Sequence, residues 1–215
     1  MRNRLNAGVC MEETFDDLFH SRQAFWQVMT KFIKRGLAEV VGEEPFCGLG
    51  RKRKFFAAPG VVTKTNQLRH DAISHLVVIR LGKPYVMRPQ DEYLSDGLTH
   101  FGEYLVRIEA DTGSCSYDFL VEKRYEKYVG CPDVVVWVSA GLWRTDDKDR
   151  LEGMRMRAGK VQENSWFVTL RDVLEHGPDA ELLSPDERTL RLTNLLSASG
   201  ADKLENAGNT VDLAG

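Results

Sequence analysis

Glu109 and Asp111 close a segment, GEYLVRIEAD, that is rich in β-forming residues and reads as a strand. Side chains two apart on a strand share a face, so these two carboxylates would point the same way. Asp91 follows Arg88-Pro89-Gln90 at the end of another short apolar segment, and Lys123 lies on the next expected helix. Three carboxylates at neighbouring strand ends would form an oxygen-ligand pocket for Mg²⁺. Such an ion polarises a phosphodiester and activates water, and a nearby lysine stabilises the developing charge. The candidate catalytic set is therefore Asp91, Glu109, Asp111 and Lys123, with the three acids as metal ligands. Solvent-facing acids at strand ends would give the same pattern.

Other chemistries find less support. His20, His70, His75, His100 and His176 lack zinc-protease spacing, and structural or surface roles are expected for them. Cys10, Cys47, Cys115 and Cys131 are scattered without a C-x-x-C pair, so reduced thiols are expected. The sequence has no G-x-S-x-G elbow, Walker-type loop or G-x-G-x-x-G loop. Trp26, Trp137, Trp143 and Trp166 fall in different segments and read as core or interface anchors.

A second candidate function lies in the N-terminal third. Over 21–36, Phe25, Val28, Met29, Phe32 and Ile33 follow the spacing of an amphipathic helix, with Ser21 as N-cap and Gly36 as stop. A shorter helical segment, ETFDDLFH, precedes it. Two strands follow, and the second opens on Arg51-Lys52-Arg53-Lys54. Helix, helix and basic hairpin is the order of a winged helix, in which the last helix enters the major groove and the hairpin follows the phosphates. The helix would present Arg22, Gln23, Gln27, Thr30, Lys31 and Lys34. Gln and Arg suit base edges, whereas the lysines and the Arg51–Lys54 run suit phosphate. Only residues 1–11 remain for the helix that usually comes first in this fold.

Charge follows the same division. The 215 residues carry a net −3, yet residues 1–69 hold twelve Lys and Arg against seven Asp and Glu. A basic head on an acidic body suits a polyanionic partner. No apolar run reaches the ~18–20 residues of a membrane span, and the N-terminus lacks an apolar signal-peptide core. A cytoplasmic location without membrane association is expected.

Residues 70–80 read as a helix, 85–88 and 102–110 as strands, 117–129 as a helix, 133–139 as a strand buried on both faces, 144–157 as a helix and 166–170 as a strand. This order points to a mixed sheet covered by helices. A short Leu-rich helix is expected over 189–196, and the small, polar end over 197–215 reads as disordered.

The carboxylate arrangement is similar to that of the PD-(D/E)-x-K nucleases, with two departures. Gln90 follows Pro89 where Asp is expected, and Asp111 stands where the strand lysine belongs, leaving Lys123 to substitute from the helix. Over roughly 14–185 the layout resembles the replication-relaxation family of plasmid and integrative-element proteins. The likeness rests on SRQAFW…KRGL and GRKRKFFAAPG in the head, RHDAISHL, LVRIEADTGS with Glu109, Asp111 and Gly113, and a helix carrying Lys123 or Arg124 and then Tyr128. Residues 132–139 and Arg144 resemble the next strand and its following arginine. The aspartate near the centre of the RHDAISHL helix is absent. The resemblance implies a role in plasmid replication, mobilisation or DNA relaxation, with a nuclease-like C-terminal region.

The expected fold is thus α+β, with a winged helix-turn-helix over 12–62 and a mixed α/β nuclease-like domain over 68–185. The expected function is that of a mobile-element DNA-binding protein with an inactive nuclease-like domain and no cofactor. Double-stranded DNA is the expected partner, with a homodimer and a relaxase or replication initiator as further partners. The alternatives are a Mg²⁺-dependent endonuclease or nickase, and a protein-binding adaptor or antitoxin-like regulator.

Overall fold

The computed structural model describes residues 1–45, 52–61, 64, 67–82, 84–112, 124–140, 147–158 and 164–197. Arg51, Lys123 and Arg144, most of the helix expected over 117–129, and the tail beyond residue 197 lie outside these residues.

The chain opens with α1 (Arg2–Ala7), a single 3₁₀ turn (Glu12–Phe15) and α2 (Arg22–Lys34). α2 starts where the sequence places it, because the Ser21 hydroxyl accepts a hydrogen bond from Ala24 N at 3.2 Å. Strands β1 (Glu39–Pro45) and β2 (Lys52–Ala57) then pair antiparallel, and Cys10 forms an isolated bridge to Phe56 on the outer edge of β2. The hairpin follows α2 as expected, but the helix expected over ETFDDLFH is reduced to the 3₁₀ turn at Glu12–Phe15, and α1 occupies the short segment left for a leading helix.

The remainder is a mixed seven-stranded sheet in chain order. It runs β3 (Tyr85–Met87), β4 (Gly97–Phe101), β5 (Tyr104–Asp111), β6 (Val134–Ser139), β7 (Ser165–Thr169), β8 (Leu182–Leu183) and β9 (Thr189–Leu190). β3, β4 and β5 are antiparallel, β5, β6 and β7 are parallel, and β8 and β9 return antiparallel. Among the described residues, four α-helices accompany it: α3 (Leu68–Leu81), α4 (Asp147–Ala158), α5 (Leu170–His176) and α6 (Leu192–Ser197).

β4 escapes the pattern reading because Gly97, Thr99 and His100 dilute its apolar alternation. Its glycine has a packing reason, since a Cβ at Gly97 would overlap the Val78 side chain on α3. β6 is buried along its whole length, as its unbroken apolar run implies. The residues expected to form one helix over 189–196 instead complete β9 before entering α6.

Alternation sorts the strand residues into two layers. Val106, Ile108, Val134, Val136, Val138 and Val168 face α3 and α5. Val135, Trp137 and Phe167 face the other way, against Tyr125, Tyr128, Leu151 and Met154. Trp137 is fully buried and donates its indole N–H to Ser165 Oγ at 3.1 Å.

The head has its own core around Leu5, Phe15, Phe25, Met29 and Phe56. It is joined to the sheet by one strand used on both sides. Phe56 points into the head core and Phe55 into the core built on α3, while Cys10 and its neighbours Val9 and Met11 divide in the same way. Ion pairs Arg80–Asp16 at 2.9 Å and Arg53–Glu13 at 2.7 Å reinforce the junction. Phe55→Ala and Phe56→Ala should each cost about 3–5 kcal/mol. Because β2 serves both cores, each substitution should lower one shared thermal transition; calorimetry resolving two separate transitions would contradict the shared core.

Candidate functional site

Two surfaces carry the candidate residues. The first is the solvent face of α2. Gln23, Gln27, Thr30, Lys31 and Lys34 are all exposed and, with Trp26, line one shallow groove. Lys54 on β2 reaches over the Trp26 ring, its Nζ 5.6 Å from the centroid, so hairpin and helix meet at this groove. Lys52 is exposed as well. The other two cations differ. Arg22 pairs with Glu12 at 2.9 Å, and Arg53 pairs with Glu13 and is partly buried. Cross-strand register sets Glu43 opposite Lys54 and Glu44 opposite Arg53, so the basic strand has acidic neighbours on its own hairpin.

The second surface is a cleft of about 800 Å³ between the N-terminal end of α3, the β3–β4 connection and the C-terminal end of β5. Its acids are Asp71 on α3, Asp96 just before β4 and Asp111 at the end of β5, with Glu44 of the hairpin also lining it. Glu109 lies beneath, fully buried. The close approach of Gly97 to α3 brings Asp96 to His70, with 3.4 Å between the carboxylate and Nε2.

Each of these buried acids meets a cation. Asp71 accepts from Arg88 and lies 3.6 Å from His70 Nδ1. One Arg124 nitrogen lies 3.6 Å from Asp96 and 3.1 Å from Glu109, bridging the two. Lys127 donates to Glu109 Oε1 at 2.6 Å, and the Tyr128 hydroxyl donates to the same oxygen. Arg150 on α4 grips Asp111 with two nitrogens, at 2.7 and 3.2 Å.

Protonation follows from these neighbours. Burial works against a charged His70, but hydrogen bonds to Asp71 and Asp96 outweigh it and push the imidazolium up to about 10. Burial likewise opposes the Asp96 carboxylate, yet the His70 contact outweighs it and, with Arg124 and the Ala110 N–H, holds this group down to about 2. Burial and the Asp96 charge raise the Glu109 carboxyl, against Arg124 and Lys127. Burial and Glu109 raise the Tyr128 phenol strongly, so it remains a hydrogen-bond donor.

Of the sequence-based catalytic set, Glu109 and Asp111 do share a face of β5, but they are held by different cations. Asp91 does not line the cleft. It caps a turn by accepting from Tyr93 N and Leu94 N, both at 3.1 Å, and pairs with Arg107 at 2.6 Å. Arg107 also binds Asp133 at 2.6 Å and stacks on Tyr93. Lys123 and Arg51 lie outside the described residues.

Spacing along β5 could not reveal Asp71 or Asp96, which come from other elements. The usable signal was an acid directly before a strand, Ser95-Asp96-Gly97, in a strand too diluted to recognise. His70, for which a structural or surface role was expected, sits in the cleft, whereas His75 is fully buried in the core. Burial lowers the His75 imidazole to about 4, and its Nδ1 lies 3.1 Å from the Val9 carbonyl oxygen.

The donor set does not suit Mg²⁺, which needs several free oxygen ligands in octahedral geometry. The Arg124 guanidinium stands between Asp96 and Glu109, and Glu109 Oε1 already accepts two donors. Among the described residues, no group of three or more His, Cys, Asp or Glu side chains is arranged to hold a metal ion.

Among the described residues, no helix is long and apolar enough to cross a membrane. Compared with protein-family models, curated proteins and solved structures, the chain matches none.

The raised His70 gives a signed pH dependence. An unfolded imidazole titrates near ~6.5, so stabilisation by His70 is fully present below that and is lost as the pH rises through about 10. His70→Asn should therefore cost about 1–3 kcal/mol at pH 6, with the gap to wild type closing by pH ~10. Urea unfolding at a series of pH values checks this, and a gap that widens toward alkaline pH would contradict the assigned charge.

Proposed function

We propose that this chain is a DNA-binding protein of a plasmid or integrative element, acting in replication, mobilisation or their regulation. In this reading the head is a winged helix and the sheet with its helices is a nuclease-like domain that does not cleave DNA. α2 enters the major groove, where Gln23 and Gln27 face base edges and Lys31 and Lys34 meet phosphates. Lys52 and Lys54 extend the contact along the backbone, while Arg22 and Arg53 chiefly hold the head together.

The observation that carries the reading is the exposed face of α2, where amides and lysines converge with Lys54 beside Trp26. The element order of the head supports the winged helix. In the body, a helix followed by three antiparallel strands and a fourth strand parallel to the third supports the nuclease-like assignment. Lack of cleavage is inferred from the cations that stand beside Asp96, Glu109 and Asp111. Each has a guanidinium or ammonium group where a catalytic metal would need open oxygens.

Fluorescence anisotropy on duplex DNA at several salt concentrations tests the reading. Lys31→Ala with Lys34→Ala should lower the slope of log K against log salt by about 1.8, roughly 0.9 for each lost phosphate contact. Supercoiled plasmid incubated with Mg²⁺ should remain closed. An unchanged slope would overturn the assigned DNA face, and nicking abolished by Asp96→Asn would make the protein a nuclease.

A further inference from the structure

We propose that the cleft beside α3 is a second DNA contact, in which Arg88 donates to a backbone phosphate beside the charged His70 ring, without a metal ion. This rests on the DNA-binding reading and adds a second site to it.

The cleft is layered by charge. Apart from the half-buried Glu44 of the hairpin, its acids lie deep: the Asp71 side chain is 7% exposed and that of Asp96 13%. The cations lie above them, with His70 26% and Arg88 51% exposed. An approaching ligand meets guanidinium and imidazolium first, with the carboxylates behind. Arg88 gives Nη2 to Asp71. A guanidinium carries five N–H donors in a planar fork, which leaves donors for a phosphate oxygen while the Asp71 pair is kept.

The backbone at Arg88 supplies an independent observation. Its φ is +48°, in the left-handed region that residues with a Cβ rarely adopt. It also precedes Pro89, and a following proline favours extended backbone instead. The conformation is held from both sides, because Arg88 N donates to the Asp96 carbonyl oxygen at 3.0 Å and Gln90 Nε2 donates to the Arg88 carbonyl oxygen at 3.1 Å. Strain of this kind costs of order 1–3 kcal/mol and persists where neighbours fix a side chain for a task. Here it sets the long Arg88 side chain into the cleft, above Asp71. Both His70 nitrogens face carboxylates, Nδ1 toward Asp71 and Nε2 toward Asp96, so His70 adds positive charge to the cleft and the Arg88 guanidinium is the donor.

A cation layer fixed on buried acids suits a phosphodiester, which needs donors and no attacking water. Head and body share the β2 strand, which ties the body that carries the cleft to the head that carries α2. A duplex seated on α2 would add the cleft contact only if it is long enough to reach it.

The test is anisotropy in EDTA with a duplex of about one helical turn and one of about three turns. Arg88→Gly suits the left-handed backbone but leaves Asp71 to His70 in place of the Arg88 pair, so its fold is checked by circular dichroism, and Arg88→Lys keeps the charge. Arg88→Gly should weaken binding of the longer duplex about fivefold and reduce its salt slope by about 0.9. The shorter duplex should bind as before, and Arg88→Lys should retain most of the affinity for the longer one. If Arg88→Gly leaves the longer duplex unaffected while Lys31→Ala with Lys34→Ala weakens both, the cleft contact is overturned and the DNA reading survives. If neither variant changes either duplex, both fail. Inorganic phosphate is the second arm. Shifts of the His70 ring NMR signals with phosphate, but none with the longer duplex, would assign the cleft to a free phosphate compound and overturn the DNA contact.

Discussion

A carboxylate withdrawn from water must find a cation or give up its charge, and this requirement shapes the centre of the molecule. Glu109 is fully buried on β5, where Lys127 and Tyr128 donate to one carboxylate oxygen and the Arg124 guanidinium stands 3.1 Å from the other. Arg124 continues to Asp96, Asp96 to His70, and His70 to Asp71, where Arg88 closes the series. One connected network of alternating charge therefore ties β5, β4, α3 and the β3–β4 connection together. Removing one member would leave its partner buried and uncompensated, a larger loss than any surface ion pair represents. The same network sets cations beside the carboxylates that a nuclease would use for metal.

The second constraint is the use of β2 by two cores. Because alternate residues of a strand face opposite ways, Phe55 and Phe56 cannot both serve the head. Their division makes the hairpin part of the body as much as of the head. An α2 face that meets DNA would then move with the cleft as one rigid piece, which is what allows a single duplex to engage both in the proposed account.

Much of this was legible in the sequence where local patterns are strong. The α2 cap at Ser21, its apolar stripe, the hairpin and the unbroken run of β6 each follow from spacing and residue type, and the structure contains them. What spacing could not supply is convergence. Asp91 looked like the third acid because it follows a strand, yet Arg107 and two turn amides hold it elsewhere. Asp96 was hidden because β4 is short and interrupted by glycine and polar residues. The register of the lysine position after β5 was open between Lys123 and Arg124, and it is Arg124 whose contact with Glu109 is seen, at 3.1 Å. Hydrophobic periodicity reports which side of an element is buried; it carries no information about which charges from distant elements will meet.

Protein cations stand beside each carboxylate of the cluster, which in the proposed account leaves it without affinity for a divalent metal. The most direct measurement is electron paramagnetic resonance of free Mn²⁺ titrated with the full chain, with and without duplex DNA. The account expects the free-ion signal to persist undiminished in both. Stoichiometric loss of that signal, restored by Asp96→Asn in a folded protein, would contradict it and return the cleft to metal chemistry.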